Sequence, residues 1–206
     1  DLYVGLFGQV LAGGVVENVG LLGADVVGGS TGSIGRLVGR NSGSISNAYT
    51  TGTVSGSGSA TVAGLVGYNK GSISGAYATG TVSGGTSPGI GGLVASNDGT
   101  INDAYATATV SGGSGSYIGG FVGHNLGTIN DAYATATVSG GSGSYIAGFV
   151  GDNFGTITNG YFDTNTSGTT TGISWNYITA RPSVKGLTTA QWAAGNYTFD
   201  DGSHWI

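Results

Sequence analysis

The sequence contains no cysteine and no methionine, two prolines, and only 7% charged residues. Each scarcity removes a class of protein. Without cysteine there is no disulfide scaffold and no thiolate metal site. Five Lys and Arg against ten Asp and Glu give a net charge of −5. That balance leaves no basic patch able to neutralise several phosphates, so neither nucleic acid nor an anionic membrane surface is an expected partner. No apolar run approaches the roughly 18 residues of a membrane span, so membrane insertion is not expected. The start, Asp1-Leu2-Tyr3, lacks the basic-then-apolar pattern of a signal peptide, as expected of a mature or excised protein. Strong helix formers are sparse. What abounds is glycine, 45 of 206 residues, with Ser and Thr at most polar positions. That is the composition of short strands and turns.

Order appears at a fixed spacing. Gly64-Leu65-Val66-Gly67-Tyr68-Asn69-Lys70-Gly71-Ser72-Ile73 returns as a close variant at Arg36 to Ile45, Gly92 to Ile101, Gly120 to Ile129 and Gly148 to Ile157, each start 28 residues after the last. Repeats of this length cannot bury an apolar face alone and stack on their neighbours. Each unit holds three short extended segments. The spacing therefore predicts an all-β fold, a right-handed three-sided parallel β-helix (β-solenoid) of about six coils of 28 residues. At about 4.8 Å per coil the stack is on the order of 30 Å tall. A β-propeller needs about four strands in a repeat of 40 or more residues and is disfavoured.

One domain is expected over residues 1–206, with an imperfect N-terminal end coil at 1–35, repeats at 36–171 and a C-terminal cap at 172–206. The apolar surplus of residues 1–35 suits a coil that covers the stack. In the cap, Thr188-Thr189-Ala190-Gln191 has capping-box spacing and Gly195 would end a helix of about two turns. Trp175, Trp192 and Trp205 are suited to cover an open sheet edge.

Three columns supply core bulk: Ile34, Val62, Ile90, Ile118 and Ile146; Val38, Val66, Val94, Val122 and Val150; Ile45, Ile73, Ile101, Ile129 and Ile157. A fourth, Leu37, Leu65, Leu93, Phe121 and Phe149, stands at odd spacing from the valines, so it either turns inward at a bend or forms an external ridge. The segment Ala76 to Ser83 alternates strictly, with Ala76, Ala78, Gly80 and Val82 expected inward and Tyr77, Thr79, Thr81 and Ser83 outward. Asn41, Asn69, Asn97, Asn125 and Asn153 each precede a glycine by two residues; stacked amides and glycines of positive φ are expected at that corner.

The motif G-L-V-G-x-N-x-G-x-I followed by A-Y-A-T-G-T-V-S-G resembles the GLUG-motif repeats of large bacterial surface and secreted proteins, including filamentous-haemagglutinin-like adhesins. The likeness spans about residues 36–168. The tail from Gly160-Tyr161-Phe162-Asp163 through Lys185-Gly186-Leu187-Thr188-Thr189-Ala190-Gln191 resembles the segment closing such arrays. The resemblance implies an extracellular or bacterial cell-surface setting and no particular activity. The zinc-protease motif H-E-x-x-H of one associated class is absent around both His124 and His204.

Three functions follow as expectations. The first is a non-enzymatic structural or adhesive module needing no cofactor, whose partners are other copies of itself stacked head to tail into fibres, or host and environmental glycans. The second is a flat face for ice or polysaccharide, with ligand-binding residues Tyr77, Thr79, Thr81, Tyr105, Thr107, Thr109, Tyr133, Thr135 and Thr137; high β-propensity explains the same columns without a ligand. The third is a polysaccharide-degrading enzyme using Asp103 and Asp131, equivalent carboxylates in adjacent units that would otherwise hold a cation such as calcium or stand solvated. Asp163 to Gly168 has a loose oxygen-ligand spacing but lacks the closing bidentate Glu. The residues before the Asn column (Arg40, Tyr68, Ser96, His124, Asp152) and after it (Ser42, Lys70, Asp98, Leu126, Phe154) vary freely, as recognition or drift on an exposed edge would produce. No Cys is present, and no Ser-containing elbow accompanies either histidine, so no catalytic residue or metal ligand is assigned.

Overall fold

The computed structural model describes residues 2–178 and 182–195. The chain winds as a parallel β-solenoid with three faces. Face I has six strands, face II seven and face III eleven. Each residue pairs with its equivalent one coil away: Val38, Val66, Val94, Val122 and Val150 form one unbroken register on face II, and Ile45 to Ile157 another on face III. The Ile34, Val62, Ile90, Ile118, Ile146 column runs up face I. All three expected ladders are therefore present.

Face III is long enough to close two apolar lobes. Its first part, with the Ile45 column, packs against face II and the Leu37 column. Its second part, carrying Val54, Val82 and Val110, packs against the face I isoleucines. The column left open between ridge and core is core: Leu37, Leu65, Leu93, Phe121 and Phe149 are fully buried, and the Phe121 and Phe149 rings stack at 5.0 Å. A bend after face I turns these side chains inward, so the strict alternation of a continuous strand does not apply there.

The corner after face II carries the asparagine ladder. Each amide Nδ2 donates to the next Oδ1, at 2.8 Å from Asn41, 2.8 Å from Asn69, 2.9 Å from Asn97 and 2.7 Å from Asn125. Asn153 continues it to Asn176 at 3.0 Å. Because all five are buried, each unmade bond would strand a polar group away from water. The glycines that follow do not have the positive φ expected of them. Their reason is contact: a Cβ on Gly71, Gly99, Gly127 or Gly155 would lie 1.9–2.0 Å from the carbonyl oxygen of the glycine one coil below.

The first coil lies over the second on all three faces, and Ile34, Leu37, Val38 and Ile45 are buried beneath it. Its own strands are paired on one side only among the described residues; Val10 and Val16 are buried, whereas Leu2, Leu6, Leu11, Leu22 and Val27 are exposed. At the other end the cap begins as another coil: Ile173–Asn176 extends face II and Val184–Leu187 extends face III. The helix Thr189–Ala193 has the expected capping box between Thr188 and Gln191. Trp192 packs on Tyr133 and Tyr161, whereas Trp175 is exposed; Trp205 lies outside the described residues.

Candidate functional site

On face III the tyrosines stack on one another. Ring centroids of Tyr49, Tyr77, Tyr105 and Tyr133 follow at 4.9, 4.7 and 4.8 Å with planes within 5°. Their faces are thus occupied by each other, leaving edges and hydroxyls outward. Burial, and then neighbouring Tyr77, raise the Tyr105 phenol above its usual pKa. Beside them Thr53, Thr81, Thr109 and Thr137 make a continuous exposed column. The inner column is less even, since Thr107 is exposed while Thr79 and Thr135 are half-buried. Gly80, expected inward, is exposed with φ +97. Its peptide turns the Thr79 carbonyl into the core, where Arg36 donates to it.

Asp103 and Asp131 have φ +51 and +50, and so do their column mates: Asn18, Asn47 and Asn159 are left-handed at +49 to +56, and Gly75 at +58. Asn, Asp and Gly are the residues that accept this backbone. The column's composition is therefore set by a corner, and Asp131 Oδ1 accepts from Asn159 Nδ2 at 2.9 Å. Asp163 is spent structurally too. Its carboxylate accepts from the backbone of Asn165 and Thr166, capping the helix Thr164–Ser167, and from the Thr189 hydroxyl at 2.8 Å.

The freely varying column on face II leads elsewhere. Arg40, Tyr68, Ser96, His124 and Asp152 stand in register outside the asparagine ladder, and Trp175 continues them. Arg40 lies over the rings of Tyr3 and Tyr68. The Tyr68 hydroxyl donates to Asp98 at 2.5 Å; burial first, and that bond second, push its pKa up to about 12. The next three residues, Ser96, His124 and Asp152, line a pocket of about 140 Å³ with Thr61, Pro88 and Tyr117.

His124 Nδ1 and Asp152 Oδ1 are 2.6 Å apart, with the carboxylate side chain only 5% exposed and the imidazole 27%. An ionised carboxylate only accepts, so Nδ1 carries the proton. Asp152 Oδ2 accepts no hydrogen bond from the described residues. Tyr117 borders this carboxylate; burial, then Tyr177, Asp152 and Tyr145, hold its phenol above the usual pKa.

A belt of aromatic contacts joins two residues of the pocket wall, Tyr117 and His124. Tyr117 stacks on Tyr145 at 4.8 Å, Tyr145 meets the edge of Trp175 at 5.5 Å, Trp175 lies 5.8 Å from Tyr177, and Tyr177 stacks on Phe154 at 3.9 Å. Phe154 then meets His124 edge-on at 5.5 Å. Phe154, Trp175 and Tyr177 are 41%, 44% and 51% exposed. The variable positions flanking the Asn column signalled His124, Asp152 and Phe154 in the sequence. Nothing there signalled Tyr117, Tyr177 or the outward placement of Trp175.

The same register places Ser96, His124 and Asp152 in the order of a hydrolytic triad, which sequence spacing did not reveal. The constellation is incomplete: among the described residues no hydrogen bond joins Ser96 to His124.

These features define a parallel β-solenoid of 28-residue coils with one differentiated corner. Within that class the chain carries the GLUG motif, whose family model matches residues 114–139. It is similar to Halomucin of Haloquadratum walsbyi, 46% identical over 54 residues, which is 26% of this chain and 1% of that protein. Among solved structures it resembles a Bacteroides ovatus protein described as a candidate immunoglobulin A1 protease, at TM-score 0.60 and 20% identity over 89% of this chain and 69% of that one. It also resembles an IgA1 protease, at TM-score 0.65 and 18% identity, covering 87% of this chain and 16% of the other. At these identities the two structures share the fold.

Proposed function

We propose that this chain is a non-enzymatic structural and adhesive module of an extracellular protein. One observation carries the reading: a constant frame of buried ladders projects one column, Arg40 to Asp152, in which every coil differs. Selection for packing alone has no use for a pocket and an exposed aromatic belt at one corner. The GLUG motif at residues 114–139 and the segment similar to Halomucin support a surface setting.

Beads coated with the protein are expected to adhere to at least one of mucin, chitin, cellulose and alginate surfaces more strongly than albumin-coated beads. Adhesion to none of them removes the reading. Beads carrying Thr79→Lys plus Thr107→Lys examine the hydroxyl face in the same assay, and unchanged adhesion excludes that face as the contact surface.

The alignment of Ser96, His124 and Asp152, together with the likeness to IgA1 proteases, supports hydrolysis as a second reading. Without a Ser96–His124 hydrogen bond the serine is not activated. A fluorophosphonate probe is therefore expected to leave Ser96 unlabelled, by mass spectrometry of the intact protein. An adduct on Ser96 that is lost in His124→Ala would turn the assignment to an enzyme.

A further inference from the structure

We infer that the corner around His124 and Asp152 is a carbohydrate site, in which Tyr177 and Trp175 stack on the apolar face of one pyranose ring while Asp152 Oδ2 accepts its hydroxyls. The inference rests on the adhesive reading and gives it a ligand class. Four observations support it, and each concerns a different property of the corner.

The first is an open acceptor. Asp152 is 4% exposed and lines the pocket, its Oδ1 is held by His124, and its Oδ2 is not among the enclosed polar atoms that lack a partner, so a ligand hydroxyl would replace water there. Bonds to an ionised group are also the stronger kind, worth about 1.5–3 kcal/mol each. Sugar hydroxyls are donors of the right size.

The second is the further polar complement. With Nδ1 committed to Asp152, His124 has Nε2 left for a ligand. Ser96, Thr61 and Tyr117 add hydroxyls that both donate and accept. Such a mixed set beside a carboxylate fits a polyol better than a phosphate, since neither Lys nor Arg lines the pocket.

The third is shape. At about 140 Å³ the pocket is small beside the roughly 300–1,000 Å³ of drug-sized sites. It admits the hydroxyl-bearing edge of one ring, whose face would lie on the belt outside. The fourth is the belt. Exposed aromatic faces beside a recessed polar group match a pyranose, which has a C–H face and a rim of hydroxyls. The belt is also held in place before any ligand arrives: the Tyr177 backbone N–H donates to Asn153 at 2.9 Å, and Asn176 ends the buried amide ladder. Little ordering entropy is then left to lose on binding.

A lysine or arginine of a protein partner is the competing occupant, since cations also favour aromatic faces and carboxylates. The recessed carboxylate disfavours it, because a bulky backbone cannot follow the side chain into a pocket of this size.

Saturation-transfer NMR with the methyl glycosides of glucose, galactose, mannose and N-acetylglucosamine tests the assignment. At least one glycoside is expected to show transfer concentrated on its ring C–H protons. Tyr177→Ala and Asp152→Asn should each raise its Kd ten-fold or more, while Thr109→Lys leaves it unchanged. Tyr177 is exposed, so its removal does not threaten the fold. Transfer to none of the four sugars overturns the inference, as does an unchanged Kd in both variants. Binding of an arginine-rich peptide that no sugar displaces, and that Asp152→Asn abolishes, overturns it in favour of a basic partner. Beads that adhere equally well with Tyr177→Ala would leave the adhesive function standing and remove this site from it. Beads that adhere nowhere would remove the adhesive function, and the NMR titration would then judge the pocket alone.

Discussion

Gly99→Ala is expected to split the cooperative unfolding of the stack into two transitions. The added Cβ would lie 2.0 Å from the Gly71 carbonyl oxygen and 2.9 Å from Asn69 Nδ2, and neither neighbour is the flexible tip of a surface side chain. Relief requires lifting one coil from the next. The bonds that resist are those across the same corner: Asp98 N to Asn69 O at 2.8 Å, Thr100 N to Gly71 O at 2.9 Å, and the Asn69–Asn97 amide bond at 2.8 Å. Losing one buried amide bond at about 1–3 kcal/mol and two half-buried backbone bonds at about 0.5–1.5 kcal/mol each places the cost at roughly 2–6 kcal/mol. Because coils contact only their neighbours, the break falls between the third and fourth, and the blocks on either side melt separately. Differential scanning calorimetry reads this directly. Gly29→Ala, where a Cβ meets nothing within 4 Å, is the control and should move the melting temperature little. A single unshifted transition for Gly99→Ala would show that contact is not what requires glycine in this column.

Arg36→Met should stabilise the protein. Arg36 occupies the position held by Gly64, Gly92, Gly120 and Gly148 in later coils, and it is fully buried. Its Nη1 donates to the Thr79 carbonyl, whereas its Nε and Nη2 have no hydrogen-bond partner. Burying a single cation costs several kcal/mol; one charge-assisted bond returns about 1.5–3. Methionine keeps length and flexibility while removing the charge. The net gain expected is about 1–2 kcal/mol, roughly 2–4 °C in Tm for each kcal/mol in a chain of this size.

The pH dependence supplies a second readout. Burial lowers the Arg36 pKa from 12.5 to about 10. The folded state therefore disfavours the protonated form, and its penalty is fully present below pH 10. The penalty shrinks as pH rises from about 10 towards 12.5, because the folded protein sheds the proton first. The advantage of Arg36→Met should accordingly be largest at neutral pH and narrow above pH 10. Denaturant melts at pH 7 and pH 10.5 check it, and destabilisation at pH 7 would mean that the Thr79 bond outweighs the desolvation.

Repetition made most of the frame legible. Val66 and Val94 are identical in kind and 28 residues apart, so stacking follows from the string alone. Three places escaped because their cause is not periodic. Gly80 and Ala108 stand in one column, yet Gly80 has φ +97 and is exposed while Ala108 is buried; Gly52 in the same column is also positive, at φ +114, so the difference follows the exchange of glycine for alanine. The last coil is shortened, so that Asn176 meets Asn153 at a separation of 23. A search at the fixed period therefore missed both Asn176 and the pairing of Trp175 with Asp152. Tyr117 and His124 belong to different faces, and only the bend between them brings both into one pocket.

By itself the sequence determined the coil: its length, its three strands, its core columns and its amide ladder, because each follows from one residue type repeated at one interval and stabilised by identical neighbours. The tertiary structure decided what the variable residues do. Ser96, His124 and Asp152 are ordinary substitutions along the string, and they become one polar column only when successive coils lie at strand spacing. Whether a leucine turns inward, a glycine makes room for a carbonyl or a tryptophan faces solvent depends on the corner geometry and on the coil beneath, and neither is encoded in the period.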